Sequence, residues 1–77
     1  MVQVVKISGE TPVQIQAHSF VVSQSESGYT LNYSGDGINW TAYTEDTPAN
    51  EDLIVNGIAF GTFIKLVGNT GEVEIRF

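Results

Sequence analysis

The chain has 77 residues, with nine acidic against three basic side chains and a formal charge of −6. This length predicts a single domain over residues 1–77. The charge argues against nucleic acid or an anionic membrane as a partner, because both are bound largely through Lys and Arg. The absence of cysteine excludes disulfides and thiolate metal sites, and a single histidine leaves no usual tetrahedral zinc set.

Apolar and polar side chains alternate with a period of two along most of the chain, which is typical of half-buried strands. Clusters of Gly, Ser, Asn and Pro separate the alternating runs. Strands are predicted at about 2–8, 12–17, 19–24, 28–34, 38–43, 52–55, 58–67 and 71–77. The sequence therefore predicts an all-β fold, a small antiparallel β-sandwich or barrel of seven to eight short strands.

The stretch NYSGDGINW, residues 32–40, places an acid between two glycines with aromatic residues on both sides. Asp36-Gly37 suits the bend of a hairpin, which needs residues that tolerate positive φ. We expect Tyr33 and Trp40 to pack on one face of this hairpin. A fragment of a calcium loop is the alternative, although the spacing of acids in an EF-hand is missing.

The segment TEDTPANED, residues 44–52, is predicted to be the main loop of the chain. Its four acids, Glu45, Asp46, Glu51 and Asp52, repel one another unless they are solvated or bound to a cation. They would join Asp36 in a cation site only if the two loops meet at one end of the sandwich. A solvated loop is the plainer interpretation, and an acidic surface that binds a basic partner is another.

Two further signals lie in the second half of the chain. Asn56-Gly57 predicts a hairpin turn, because both positions tolerate positive φ. Residues 58–67 carry apolar side chains at both odd and even positions, with Gly61 as an expected bulge or bend. Such a strand is either buried on both faces or covered by a neighbouring subunit, unless its phase changes at the bulge.

Catalytic and cofactor-binding patterns are missing from the sequence. His18 is the only histidine, and it falls on the polar side of a predicted strand. Glu72 and Glu74 share one face of a strand, whereas a glycosidase needs two carboxylates opposed across a groove. We expect no catalytic residue, no metal site and no cofactor.

Sugar binding is the first alternative among non-enzymatic functions, because tyrosine and tryptophan rings stack on sugars and amides bond their hydroxyls. Tyr43, Asn32 and Asn39 are the predicted glycan or partner contacts, together with the four acids of residues 44–52. The pattern Tyr-x-Leu-x-x-Ser-x-Asp-Gly-x-x-Trp over residues 29–40 is similar to a hairpin of discoidin-type carbohydrate- and lipid-binding domains. That resemblance implies a turn at Asp36-Gly37 and a core position for Trp40.

A second resemblance covers most of the chain. The runs ISGETPVQIQAHSF, SGYTLNYSGDGINWTAY and TPANEDLIVNG resemble small auxiliary capsid and head-fibre-type surface proteins of tailed bacteriophages. The resemblance implies a non-enzymatic virion surface subunit that forms a homo-oligomer, with a trimer favoured, beside other virion proteins. Its localisation would be the virion, with a secreted or cytoplasmic protein as the alternative. A carbohydrate-binding module and a small acidic interaction or inhibitor domain stay open beside it.

Overall fold

The computed structural model describes residues 3–47, 50–69 and 71–77. The described residues contain eight strands, at Val4–Ser8 (β1), Val13–Ile15 (β2), Ser19–Val22 (β3), Tyr29–Ser34 (β4), Thr41–Thr47 (β5), Leu53–Asn56 (β6), Thr62–Val67 (β7) and Glu72–Arg76 (β8). They form two four-stranded antiparallel sheets. The prediction of a small all-β sandwich is confirmed.

The strand order explains why both sheets depend on the whole chain. The first sheet has the order β1-β8-β3-β6 and the second has the order β2-β7-β4-β5. Only β4 and β5 are consecutive strands paired with each other, and every other connection crosses from one sheet to the other. Strand pairing is therefore almost entirely non-local, and neither sheet can form from one continuous segment.

One face of each sheet supplies the core. Alternation brings every second side chain of a strand to the same face, so β2, β3, β7 and β8 each contribute a pair of buried residues. The buried apolar side chains come from both sheets: Ile7, Val13, Ile15, Phe20, Val22, Tyr29, Leu31, Val55, Ile64, Leu66, Val73 and Ile75. Burial of this single layer is the main favourable contribution to stability in a chain without disulfides.

The predicted strand at 38–43 is wrong in its boundaries, because β5 runs from Thr41 to Thr47. Residues 38 and 39 belong to the preceding turn, where both backbone N–H groups donate to the Asp36 carboxylate. Ile38, the first residue of the predicted strand, is 78% exposed. Because β5 ends four residues later than predicted, Glu45 and Asp46 belong to this strand and not to the predicted 44–52 loop.

The predicted strand at 58–67 is also too long at its start, since β7 begins at Thr62. Gly61 has a φ of 86° and Thr62 bonds back to the Ala59 carbonyl, so residues 58–61 form a turn instead of a bulged strand. The two-sided apolar pattern therefore combines a turn with a strand. In β7 itself Ile64 and Leu66 are buried, whereas Phe63 and Val67 are half-buried on the other face.

The Asn56-Gly57 hairpin prediction is wrong as well. Gly57 does adopt positive φ, at 78°. However, β6 pairs with β3, whereas β7 pairs with β2 and β4. The turn carries the chain from the first sheet to the second, so a local turn signal was correct and the strand pairing inferred from it was not.

No helix occurs in the described ranges, and therefore none there has the length and hydrophobicity that crossing a bilayer requires.

The depth of the core can be tested with the same substitution at two isoleucines. Ile75 is fully buried in β8, whereas Ile54 is 64% exposed in β6. We expect Ile75→Val to lower the free energy of unfolding by about 0.5–1.5 kcal/mol, since a buried methylene is lost. Ile54→Val should stay within about 0.5 kcal/mol of the parent. Urea denaturation measures both, and equal losses would contradict the two-sheet core.

Candidate functional site

A pocket of about 360 Å³ opens between the two sheets at one end of the sandwich. Its lining comes from the beginnings of β3, β5 and β7 and from the ends of β4 and β6. Those strand ends lie together because β4 runs antiparallel to β5 and β7, and β3 runs antiparallel to β6. The pocket therefore occupies the place where the core layer reaches the end of the fold.

Core side chains form the inner wall of this pocket. Phe20 and Val55 are directly opposed across β3 and β6 of the first sheet, and Leu31 and Ile64 come from β4 and β7 of the second. Each of the four is at most 2% exposed. A ligand in the pocket would thus contact the hydrophobic core itself, where apolar contact area contributes most to binding.

Two tyrosines stand at the mouth of the pocket. Tyr33 of β4 and Tyr43 of β5 are 41% and 55% exposed, and both line the pocket. Their ring centroids lie 6.3 Å apart with an interplanar angle of 79°, an edge-to-face pair. Because the rings are perpendicular, a bound group can contact the face of one ring beside the edge of the other.

The connection between β6 and β7 forms the other side of the pocket, through residues 57–59 and Thr62. This connection is tied to the rest of the fold by hydrogen bonds. The Ile58 N–H donates to the His18 carbonyl at 3.0 Å, and His18 Nδ1 lies 2.9 Å from the Ile58 carbonyl oxygen. The Thr62 hydroxyl donates to the Ala59 carbonyl at 2.6 Å. The wall is therefore held by specific bonds on both sides of the turn.

A tight turn at residues 35–40 closes the β4–β5 hairpin at the same end. Oδ1 of Asp36 accepts hydrogen bonds from the Ile38 and Asn39 backbone N–H groups at 2.8 and 2.9 Å, and from the Ser34 hydroxyl at 2.8 Å. The Asn39 amide donates to Oδ2 at 3.0 Å. These bonds, led by those from the Asn39 and Ile38 N–H groups, hold the pKa of Asp36 well below its usual range.

The Asp36 carboxylate is thus committed to the turn. The directions of β4, β5 and β6 place Asp36 at one end of the sandwich and Glu51 and Asp52, just before β6, at the other, so these two acids do not form the alternative cation site with Asp36. Within the described residues no group of three or more His, Asp or Glu side chains is arranged to hold a metal ion.

Trp40 does not share a face with Tyr33, contrary to the sequence prediction, and it is not part of the core. It is half-buried with Lys65 Nζ 4.5 Å from its ring centroid. Lys65 lies between the buried Ile64 and Leu66, so both partners are on the outer face of the second sheet. The cause is the Asp36 turn, which delays the start of β5 until Thr41 and folds residues 37–40 over that outer face.

The remaining predicted contact residues are dispersed. Tyr43 is at the pocket mouth, whereas Asn32 lies on the outer side of β4 and the Asn39 amide is engaged by Asp36. Glu51 and Asp52 are exposed just before β6, at the end of the sandwich opposite the pocket. The side chains of Glu45 and Asp46 lie outside the described residues.

Sequence reasoning missed three parts of the pocket: Tyr33 as a mouth residue, Phe20 in the inner wall, and the 57–59 turn. Alternation does place Tyr33 on the inward side of β4, beside Leu31. No local pattern shows that the pocket stays open there, because the walls come from strands that are distant in sequence.

Comparison of the chain with protein-family models, with curated protein sequences and with solved structures found no match. The two family resemblances drawn from the sequence stay predictions.

The role of Asp36 as the anchor of the turn predicts a pH-dependent stability. A carboxyl whose pKa is lowered in the folded chain stabilises the fold above its unfolded pKa, near 3.8, and loses that effect as the pH falls toward the folded value. We expect Asp36→Asn to have a lower melting temperature than the parent at pH 5. This difference in melting temperature should narrow as the pH falls to about 2.

Asp52→Asn is the control, since that exposed carboxylate has no hydrogen-bond partner in the described ranges. The difference in melting temperature between Asp52→Asn and the parent should not narrow in this way as the pH falls. Thermal unfolding followed by circular dichroism at several pH values measures both variants. A difference for Asp36→Asn that is constant over this pH range would contradict the assignment.

Proposed function

We propose that the chain is a non-enzymatic binding module whose site is the pocket between the sheets. One observation carries the proposal: two exposed tyrosines stand at the mouth of a pocket whose inner wall is the hydrophobic core. Exposed aromatic rings at a concave apolar site are the usual anchors of ligand recognition. The volume of about 360 Å³ is at the lower end of the range for small-molecule sites.

The chemistry of the lining supports binding over catalysis. No carboxylate, histidine or lysine is among the residues that line the pocket in the described part of the chain. The polar side-chain groups there are the two phenols and the Thr62 hydroxyl, which already donates to the Ala59 carbonyl. General acid–base chemistry needs a titratable group within hydrogen-bond reach of the reacting atom. The ligand is a small molecule with an apolar or ring-shaped body.

Carbohydrate binding is one form of this proposal, and the Tyr33–Tyr43 pair favours it. The apolar face of a sugar ring would stack on one tyrosine while the two phenols bond to its hydroxyls. Trp40 contributes less to this function, because Lys65 covers its ring on the other side of the second sheet. The sparse polar lining favours a sugar with few free hydroxyls or an apolar aglycone.

A virion surface subunit that acts as a homo-oligomer is the second candidate, and it uses a different surface. Val4, Val21 and Ile54 lie in one cross-strand row with Arg76 on the outer face of the first sheet. Val4 and Ile54 are 51% and 64% exposed. Apolar side chains on an outer face are explained when a second copy covers them. Sedimentation velocity tests this candidate: an assembly, with a trimer expected, supports it, and a monomer at all concentrations contradicts it.

The pocket proposal predicts where a neutral aromatic probe binds. We expect 3-phenylpropan-1-ol to shift the backbone amide signals of residues 33–35, 43 and 57–59 in a nitrogen-15 correlation spectrum. Tyr43→Ala should weaken this binding about tenfold, corresponding to the loss of about 1.4 kcal/mol of contact with the ring.

Phe60→Ala is the matched control, because Phe60 is 63% exposed but does not line the pocket. This variant should bind the probe as the parent does. Shifts scattered over the outer faces of the sheets, or equal losses in the two variants, would contradict the assignment of the pocket.

A further inference from the structure

The three Lys and Arg side chains of the chain all lie away from the pocket. Lys6 Nζ lies 3.9 Å from one oxygen of Glu74, and Arg76 Nη2 lies 3.2 Å from the other. Lys65 is placed over the ring of Trp40. Lys6 and Arg76 are on the outer face of the first sheet and Lys65 is on the outer face of the second. None of the three lines the pocket, and each already has an electrostatic partner.

The negative charges are not balanced in this way. Nine acids against three basic residues leave a formal charge of −6 on a fold with a radius of gyration of 11.1 Å. Asp36 follows the pocket-lining Gly35 directly, and it bears its charge at the pocket end of the hairpin. The fold measures 29 × 28 × 19 Å, several times the Debye length of about 8 Å at physiological salt, so acids at the far end of the sandwich are largely screened from the pocket. Asp36, at the pocket end, is the described acid whose charge acts on the pocket mouth.

The tyrosine pair also favours a positively charged ligand. The face of an aromatic ring carries negative electrostatic potential, so it attracts a cation placed within about 6 Å of the ring centroid. Tyr33 and Tyr43 offer such faces at the mouth, where a charged head group can stay hydrated while its apolar body enters the pocket. The core side chains of the inner wall suit that body.

We propose that the ligand of the pocket joins a small apolar body to an organic ammonium group, and that the pocket discriminates against a carboxylate of the same shape. This inference rests on the proposed function, since it assigns a charge to the ligand of the same site. The ammonium lies against Tyr33 and Tyr43, and the apolar body contacts the wall formed by Phe20, Leu31, Val55 and Ile64.

Three probes of one shape test the charge preference: 3-phenylpropan-1-ammonium, 3-phenylpropan-1-ol and 3-phenylpropanoate. Each is titrated into the full chain at pH 7, and dissociation constants come from the amide shifts of residues 33–35, 43 and 57–59. We expect the ammonium to bind about three- to tenfold more tightly than the alcohol, with the carboxylate the weakest. Raising the salt concentration should narrow these differences, because the field of Asp36 at the pocket end is screened further.

The outcomes separate the two proposals. Equal affinities for the three probes at the pocket amides would overturn the charge preference and leave the binding function standing, as would tighter binding of the carboxylate. If no probe shifts the pocket amides, the proposed function fails and the charge preference fails with it.

Two variants of Tyr43 test whether the ring carries the local part of the preference. Tyr43→Phe keeps the aromatic face, so the ratio of ammonium to alcohol affinity should stay within about twofold of the parent. Tyr43→Leu keeps apolar bulk without a ring, and the ratio should fall by about two- to fivefold. An unchanged ratio in Tyr43→Leu would overturn the cation–ring contact.

Discussion

Apolar side chains from seven of the eight short strands meet in one layer between two sheets, and the rest of the structure depends on this contact. A chain of 77 residues buries only about 60% of its unfolded surface, and it has no disulfide to restrict the unfolded state. Nearly every connection passes from one sheet to the other, so each segment must contribute to both sides of the layer. Loss of contact between the sheets would remove the fold as a whole and leave no independent half.

The pocket is a consequence of the same layer. Strands β5 and β6 are the outermost strands of their sheets, and among the described residues each pairs with one neighbour only. Where β5 begins and β6 ends, the rings of Tyr33 and Tyr43 lie at the edge of this apolar layer, in the place of a further aliphatic side chain. The edge of the core is therefore accessible to solvent at the pocket. The hydrogen-bonded turns at residues 35–40 and 57–62 fix the conformation of the pocket walls. A binding function needs this combination of an apolar wall and a fixed mouth.

The alternation of apolar and polar residues correctly predicted which side chains within a strand are buried. The pairs Ile64 and Leu66, and Val73 and Ile75, are buried as the period of two indicates. Prediction failed where a side chain competes with the strand, as at Asp36, whose four hydrogen bonds keep Ile38 and Asn39 in a turn. It also failed at Asn56-Gly57, because a turn signal does not specify which strands pair. Tyr43 was identified from its residue type alone, whereas the pocket arises from distant segments and has no local signature.

Amide hydrogen exchange tests the central claim. In this claim the inner strands of both sheets are paired on both sides, whereas the edge strands β5 and β6, between which the pocket opens, are not covered. Measured on dilute chain without ligand, the slowest amides should be those of β3, β4, β7 and β8, each of which pairs on both sides. The amides of β5 and β6 that point away from their single neighbour should exchange much faster. Protection of those amides equal to that in β3 and β8 would contradict the account, since it would mean that the edges beside the pocket are covered.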